Sequence, residues 1–479
     1  MTFLEDGAKK KIGFYYVMDK VEVSSVFGKE AFAALKPIIS KEGLLNEYEN
    51  IGECISKKEG FDQFENVFMR FRDIKNTFKR SKAGNVLDEV ELFEIKNFAI
   101  LSSQINALYK AFEFKLKGIN LCDFDEIYKL LNPMENKSSS FFIYDEYSLK
   151  LSEIRDKKIK IEKLIYKEKD SSKREQLLSD RAEIVNYEKE EEFNIRKNLT
   201  SEISKYADKL IESTYILGKL DITMAKAKYA VHCKLCKPVL SDKIKIVNGI
   251  NPMVKDKVEK KGGSFKPINL ELLKGTAVIT GANMGGKTVA LSIAALNYIL
   301  AYMGFYVFAD SFEFVPLDFM CFLSEDAESL QNGLSTFGGE VIKLKRILDA
   351  LKGKKGFIIL DEFARGTNPE EGSNITKALV KYLGKFDSIA VLSTHYDGVC
   401  SFADVHYQVK GLKNVDLSTI RAIEKEEEEF LMLINKYMDY SLEKVEKGTA
   451  IPKDALNICA LMGLNREIID TAKEFYKEG

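Results

Sequence analysis

The chain has 479 residues, with 72 Lys plus Arg against 73 Asp plus Glu, so no global charge surplus draws it to polyanions and any nucleic-acid contact needs a local basic face. With 45% apolar residues and only 8 prolines it is not a disordered chain, and its length exceeds what one hydrophobic core organises, so two or three domains are expected. The longest largely apolar run, 289–303, falls short of a membrane span, residues 1–11 hold no leader-like apolar core, and the 7 cysteines are scattered, all of which points to a cytoplasmic protein with reduced thiols and no membrane partner.

Residues 1–140 are expected to form a helical domain, with Phe68, Phe71, Ile74 and Phe78 at helical spacing and no catalytic constellation. From 141 to 212 charge density rises and a broken stripe runs through Leu151, Ile154, Ile161 and Ile165, which predicts an arm of two antiparallel helices. Lys157, Lys158 and Lys160 are answered by Glu188, Glu190, Glu191 and Glu192, so the arm is expected to be a solvated surface laced with i to i+4 pairs. His232, Cys233 and Cys236 offer the beginning of a zinc site that nothing nearby completes, and buried thiols are the plainer expectation. From about 243, after which a boundary is expected near the loop 257–263, short apolar strands alternate with helices and glycine turns, the pattern of an α/β domain with a mostly parallel sheet.

The strongest motif is Gly281, Ala282, Asn283, Met284, Gly285, Gly286, Lys287 and Thr288, a complete GxxxxGK[ST] between the strand-like 276–280 and the helix-like 289–303. Glycines let backbone N–H groups wrap phosphates, the helix start favours anions, Lys287 on an exposed loop meets the β- and γ-phosphates of ATP, and Thr288 reaches Mg2+. Residues 356–360 read as a buried strand ending in Asp361 and Glu362, where Asp361 would hold Mg2+ and Glu362 would polarise the attacking water. A further strand, 388–393, ends in Thr394 and His395, an imidazole suited to sensing the γ-phosphate. Between these lie Ser335 and Thr336, which open a helix with Val341, Leu344, Ile347, Leu348 and Leu351 on one face; the hydroxyls can cap that helix or meet a phosphate, and Glu340 falls in its first turn.

Four segments in this order, GANMGGKT, LSTFGGEV, LDEFARGTNPEEG and LSTHYDGV, resemble the ATPase domain of the MutS family, and the resemblance extends to Leu220-Asp221, Asn251-Pro252 and the closing helices around 455–472. It implies an α/β P-loop ATPase domain at 213–425, preceded by an all-α lever at 1–140 and a shortened clamp arm at 141–212, and followed by dimerising helices at 426–479. It also implies a homodimer, or a heterodimer with a related MutS-like subunit, in which Gly281 to Thr288, Asp361, Glu362 and His395 act within one subunit while Ser335 and Thr336 act across the interface. Gly338 and Gly339 depart from the bulkier residues expected there.

A mismatch-reading MutS carries a wedge domain and a connector ahead of its helical core; the residues before this P-loop suffice for a lever and a short arm, and 23–37 and 144–155 look more like the MutS2-type branch, with no nuclease-like domain expected after the ATPase. Two clients therefore stand side by side: DNA, as in mismatch repair, and a protein such as an adenosylcobalamin-dependent aminomutase remodelled by the same engine. A regulatory GTPase fits poorly, since Asn435 and Asp439 miss the Asn-Lys-x-Asp spacing by one residue.

Overall fold

The computed structural model describes residues 4–134, 141–281, 286–324, 336–411, 439–446, 449, 459 and 464–478. Its contacts divide the chain into two units, one of residues 1–21, 36–48 and 229–479 and the other of 22–35 and 49–228. The chain enters the first unit with helix α1 (Asp6–Lys11), whose last turn collects Lys9, Lys10 and Lys11.

Among its described residues the second unit is helical. Its helix α2 (Glu89–Ala111) starts at a capping box in which Asp88 and Glu91 satisfy each other's backbone N–H, and buries Leu92, Ile95, Phe98 and Ile105. The expected stripe is buried throughout, but it does not belong to one helix. Phe68 closes the helix Phe61–Phe68, Phe78 belongs to Lys75–Lys82, and Phe71 and Ile74 lie on the segment between them. Aromatic packing holds that segment down: Phe71 and Phe78 both meet the Phe98 ring edge-on, at 5.6 and 5.2 Å between centroids.

The arm is the expected helix pair, α3 (Leu149–Lys167) and α4 (Ser171–Ser204), capped by Ser148 and Asp170. The described ion pairs of the expected basic and acidic runs differ from the expectation, because they cross between the helices instead of running i to i+4. Arg155 reaches Glu188 at 3.0 Å and Glu192 at 2.7 Å, Lys150 reaches Glu191 at 2.9 Å, and Lys158 also bonds Glu188. Helices packed side by side bring carboxylates of one to the cations of the other, a neighbourhood that spacing along one helix does not register.

Among its described residues the first unit carries two sheets. Strands β1 (Val239–Leu240), β2 (Ile244–Gly249), β3 (Ile268–Leu272) and β5 (Ser311–Phe314) form one, in the order β1-β5-β2-β3. The other contains β4 (Gly275–Thr280), β6 (Phe319–Leu323), β7 (Gly356–Asp361), β8 (Ile389–Ser393), β9 (Val405–Gly411) and β10 (Asp439–Val445), in the order β10-β9-β4-β8-β7-β6. All its pairings are parallel except β10 with β9. Strands β4, β7 and β8 are buried at every position, which is why they read as continuous apolar runs without alternation.

Helix α5 (Lys287–Tyr302), apolar nearly all round, is correspondingly buried from Ala290 to Tyr302. Helix α6 (Thr336–Leu351) buries Leu344, Ile347 and Leu351 against the sheet, with Val341 left 42% exposed. Helix α7 (Pro369–Leu383) begins with proline after an Asn368 cap, as Pro252 follows Asn251 in the helix Pro252–Lys260. The architecture is the expected one, helices followed by a mostly parallel α/β sheet. The closing stretch, expected to be helical, contains both β10 and the helix Arg466–Glu478.

Candidate functional site

Strand order lines up three chain turns. Register pairs Ile279 of β4 with Ser393 of β8, and Ser393 with Asp361 of β7, so β8 stands between the loop-bearing strand and the acidic one. The ends of these strands are where a parallel sheet opens a crevice for ligands. Gly281 leaves β4 at φ +139, and a Cβ there would stand 3.1 Å from Val409 Cβ, so glycine is required by both backbone angle and space. Residues 282–285, which include Ala282, Asn283, Met284 and Gly285, lie outside the described residues. Gly286, at φ +91, caps α5.

Lys287 differs from its expectation. It is 3% exposed, not on an open loop. Its ammonium donates to the Gly281 carbonyl at 2.7 Å and pairs with Glu362 Oε1 at 3.2 Å. Burial pushes its pKa down, while the Glu362 charge pulls the other way. Thr288, next on the helix, donates to Asp361 Oδ1 at 3.0 Å. Ser393 donates to the same oxygen at 2.7 Å and its Oγ also accepts the Glu362 N–H at 3.0 Å. The sequence motifs assign Ser393 no role of its own, and its place directly before the Thr394-His395 strand end is the signal that marks it.

The turn after β7 is held from several sides. Glu362 and Ala364 adopt φ +52 and +66, uncommon for residues with side chains. Arg365 pairs with Glu362 Oε2 at 3.0 Å. The Ala364 N–H donates to Glu340 at 3.0 Å and the Ala364 carbonyl accepts the Tyr396 hydroxyl at 2.7 Å. Glu340, expected merely in a first turn, is therefore a buried brace of the acidic turn. His395 leans on the Tyr396 ring at 4.4 Å, and its buried Nδ1 has no hydrogen-bond partner among the described residues. Burial lowers its pKa, with the Glu362 charge opposing, which favours the uncharged imidazole.

Thr336 begins α6, whereas Ser335 lies outside the described residues. The Thr288 hydroxyl and the Asp361 carboxylate are hard oxygen donors suited to Mg2+, and a cation already faces the second Asp361 oxygen, Lys11 at 3.8 Å. The orphaned His395 nitrogen, the glycine-framed loop and the buried ammonium suit a phosphate group. At the candidate zinc position, burial raises both thiol pKa values, that of Cys236 to about 11, and no group of three or more His, Cys, Asp or Glu gathers there or elsewhere among the described residues.

A glycine loop leading into a helix, with a hydroxyl and a carboxylate meeting two strands away, defines a P-loop nucleotide-binding domain. Residues 277–478 match the MutS domain V family, which is an ATPase domain, and the chain is a distant relative of MutS2 and MutS over about 60% of its length. It is 29% identical over 303 residues to the endonuclease MutS2 of Symbiobacterium thermophilum, covering 62% of this chain and 35% of that protein. To the DNA mismatch repair protein MutS of Solibacter usitatus it is 30% identical over 293 residues, 59% of this chain and 32% of the relative. A longer, weaker match of 24% over 482 residues joins 86% of the chain to 57% of the endonuclease MutS2 of Caldanaerobacter subterraneus subsp. tengcongensis. The first two matches thus span about a third of the relatives' length. Among the described residues no helix is long and apolar enough to cross a membrane.

Proposed function

We propose that the chain binds ATP with Mg2+ at these strand ends, hydrolyses it, and turns the cycle into a clamp-like movement of a dimer. The observation that carries the reading is the Thr288–Asp361 contact of 3.0 Å, joining the P-loop helix to the acidic strand beside the buried Lys287–Glu362 pair. In this reading the 281–286 backbone and Lys287 cradle the phosphates, and Thr288 and Asp361 hold Mg2+. Glu362 takes the proton of the attacking water, and His395 meets the γ-phosphate. Bound Mg2+ supplies charge neutralisation at the phosphates. Ser335 and Thr336 of the facing subunit complete the site, whether that subunit is a second copy or a related MutS-like chain. The test is ATP turnover with and without Mg2+: metal-dependent hydrolysis is expected, and its absence in the purified chain overturns the reading.

The names of the relatives, DNA mismatch repair protein and endonuclease, make duplex or branched DNA the first client. One observation favours a protein client instead. The arm's Arg155, Lys150 and Lys158 are engaged by Glu188, Glu191 and Glu192, so their charge is already answered before any duplex approaches. Filter binding across a salt series separates the two, because every phosphate neutralised steepens the log–log salt slope by about 0.9. A steep slope with submicromolar affinity supports DNA; affinity no better than ~10⁻⁴ to 10⁻⁶ M, with no mismatch preference, supports the remodelling reading.

A further inference from the structure

Among the described residues, the two carboxylates that end β7 each face a lysine. Lys287 faces Glu362 at 3.2 Å. Lys11, from the far end of the sequence, faces Asp361 Oδ2 at 3.8 Å. The other Asp361 oxygen is taken by Thr288 and Ser393, so Oδ2 is the side open to a cation. Asp361 is 7% exposed at its side chain and Lys11 35%, which leaves the ammonium free to withdraw toward solvent while the carboxylate stays in place.

The helix bearing Lys11 is anchored on the first unit at both ends. Asn251 donates to the Ile12 carbonyl at 2.9 Å, and Lys343 of α6 pairs with Glu5 at 3.5 Å. Leu4 and Glu5 line a small cavity with Met320, Leu323 and Ile347, placing α1 beside β6, the edge strand next to β7. The other end of α1 lies by the P-loop helix, since the Asn251 that holds the Ile12 carbonyl also donates to Ser292 of α5 at 3.3 Å, and Lys11 reaches Asp361 from there.

We propose that Lys11 is a positioning residue that serves as the counter-ion of Asp361 when no metal is present, and that it yields this place to Mg2+ when nucleotide binds. The inference rests on the ATP·Mg2+ reading of the site. Without a positive partner a carboxylate this buried pays a desolvation cost, so a nearby ammonium stabilises the empty site. A divalent ion held by the Asp361 carboxylate would repel that ammonium. Lys11 thus sets the Mg2+ concentration at which the site fills, without contacting phosphate, and α1 responds to metal loading.

The experiment follows a fluorescent ADP analogue as Mg2+ is titrated, using the full chain and its Lys11→Met and Lys11→Arg variants. Removing the competing charge should lower the half-saturating Mg2+ by about two- to fivefold, the range that one partly exposed ion pair supplies. Lys11→Arg keeps the charge and should restore the original value. Affinity for the analogue in excess chelator should stay the same in all three. Amide exchange at residues 6–12 should quicken when Mg2+ and ADP are added together to the wild type. Identical Mg2+ curves for wild type and Lys11→Met overturn the proposal, as does a loss of metal-free affinity in Lys11→Met, which would put Lys11 on the phosphates. A wild-type chain that binds the analogue without any Mg2+ dependence instead overturns the ATP·Mg2+ reading beneath it.

Discussion

Two residues with side chains, Glu362 and Ala364, are held in left-handed backbone directly after the acidic strand, at a cost of about 1–3 kcal/mol each. The compensation is local: Ser393 takes the Glu362 N–H, Glu340 the Ala364 N–H, and the Tyr396 hydroxyl bonds the Ala364 carbonyl. Gly372 makes room for this bond, since a Cβ there would lie 2.3 Å from the Tyr396 oxygen and 2.9 Å from the Ala364 carbonyl. Gly372→Ala is expected to cost about 1–3 kcal/mol in urea unfolding and to slow turnover, by pushing the Glu362 turn out of place. Glu362→Gln should retain ATP yet lower single-turnover hydrolysis by about 10²- to 10⁴-fold, and a normal rate would remove Glu362 from the role of base. Lys287→Ala should abolish ATP binding and, because the lysine is buried against Glu362, also lower stability by about 1–3 kcal/mol, a loss that an exposed loop lysine would not produce.

At the level of elements, the pair α3 and α4 is joined near its base by Arg155, which also donates to the Ile143 carbonyl at 2.8 Å and pairs with Asp145. Replacing Arg155 with Ala leaves Glu188 with Lys158 alone of its two cations, and should loosen the arm by about 1–3 kcal/mol, visible as faster amide exchange along both helices. Burial works to raise the Glu188 pKa, but hydrogen bonds and charge from Lys158 and Arg155 outweigh it, and the folded value lies below the ordinary 4.5. A carboxylate with a depressed folded pKa contributes stability that is fully present above its unfolded pKa and lost as pH falls through the folded one. Arm protection should accordingly hold from pH 7 to about 5 and decline at lower pH, and Glu188→Gln should flatten that decline. An unchanged acid profile in Glu188→Gln would show that this carboxylate does not carry it.

For the whole molecule, the composite-site reading makes assembly a condition of activity. Specific turnover should rise with protein concentration and level off where light scattering reports a dimer. Replacing Ser335 and Thr336 together should spare ATP binding while lowering turnover. A strict monomer with concentration-independent turnover would remove the trans contact.

Much of the site was legible because its chemistry is local in sequence. The loop 281–288 needs consecutive glycines and one lysine, and Asp361 with Glu362 needs one buried strand, so each is written within a few residues. The sheet strands were legible too, since burial on both faces demands unbroken apolar runs. What escaped were partners brought in from a distance that no motif pairs. Lys11 meets Asp361 across 350 positions, Glu340 and Ser393 converge on one turn from different elements, and the arm's cations choose acids on the opposite helix. Phe68 and Phe78 share a periodicity across a break, because both face the same core and periodicity reports the face, not the continuity of the helix. The assignment of residues 1–21 and 36–48 to the same unit as the P-loop has the same origin. Periodicity and motif spacing record what a residue's neighbours along the chain require; which distant side chain satisfies a buried charge or an orphaned backbone group depends on packing, and is settled only once the chain has folded.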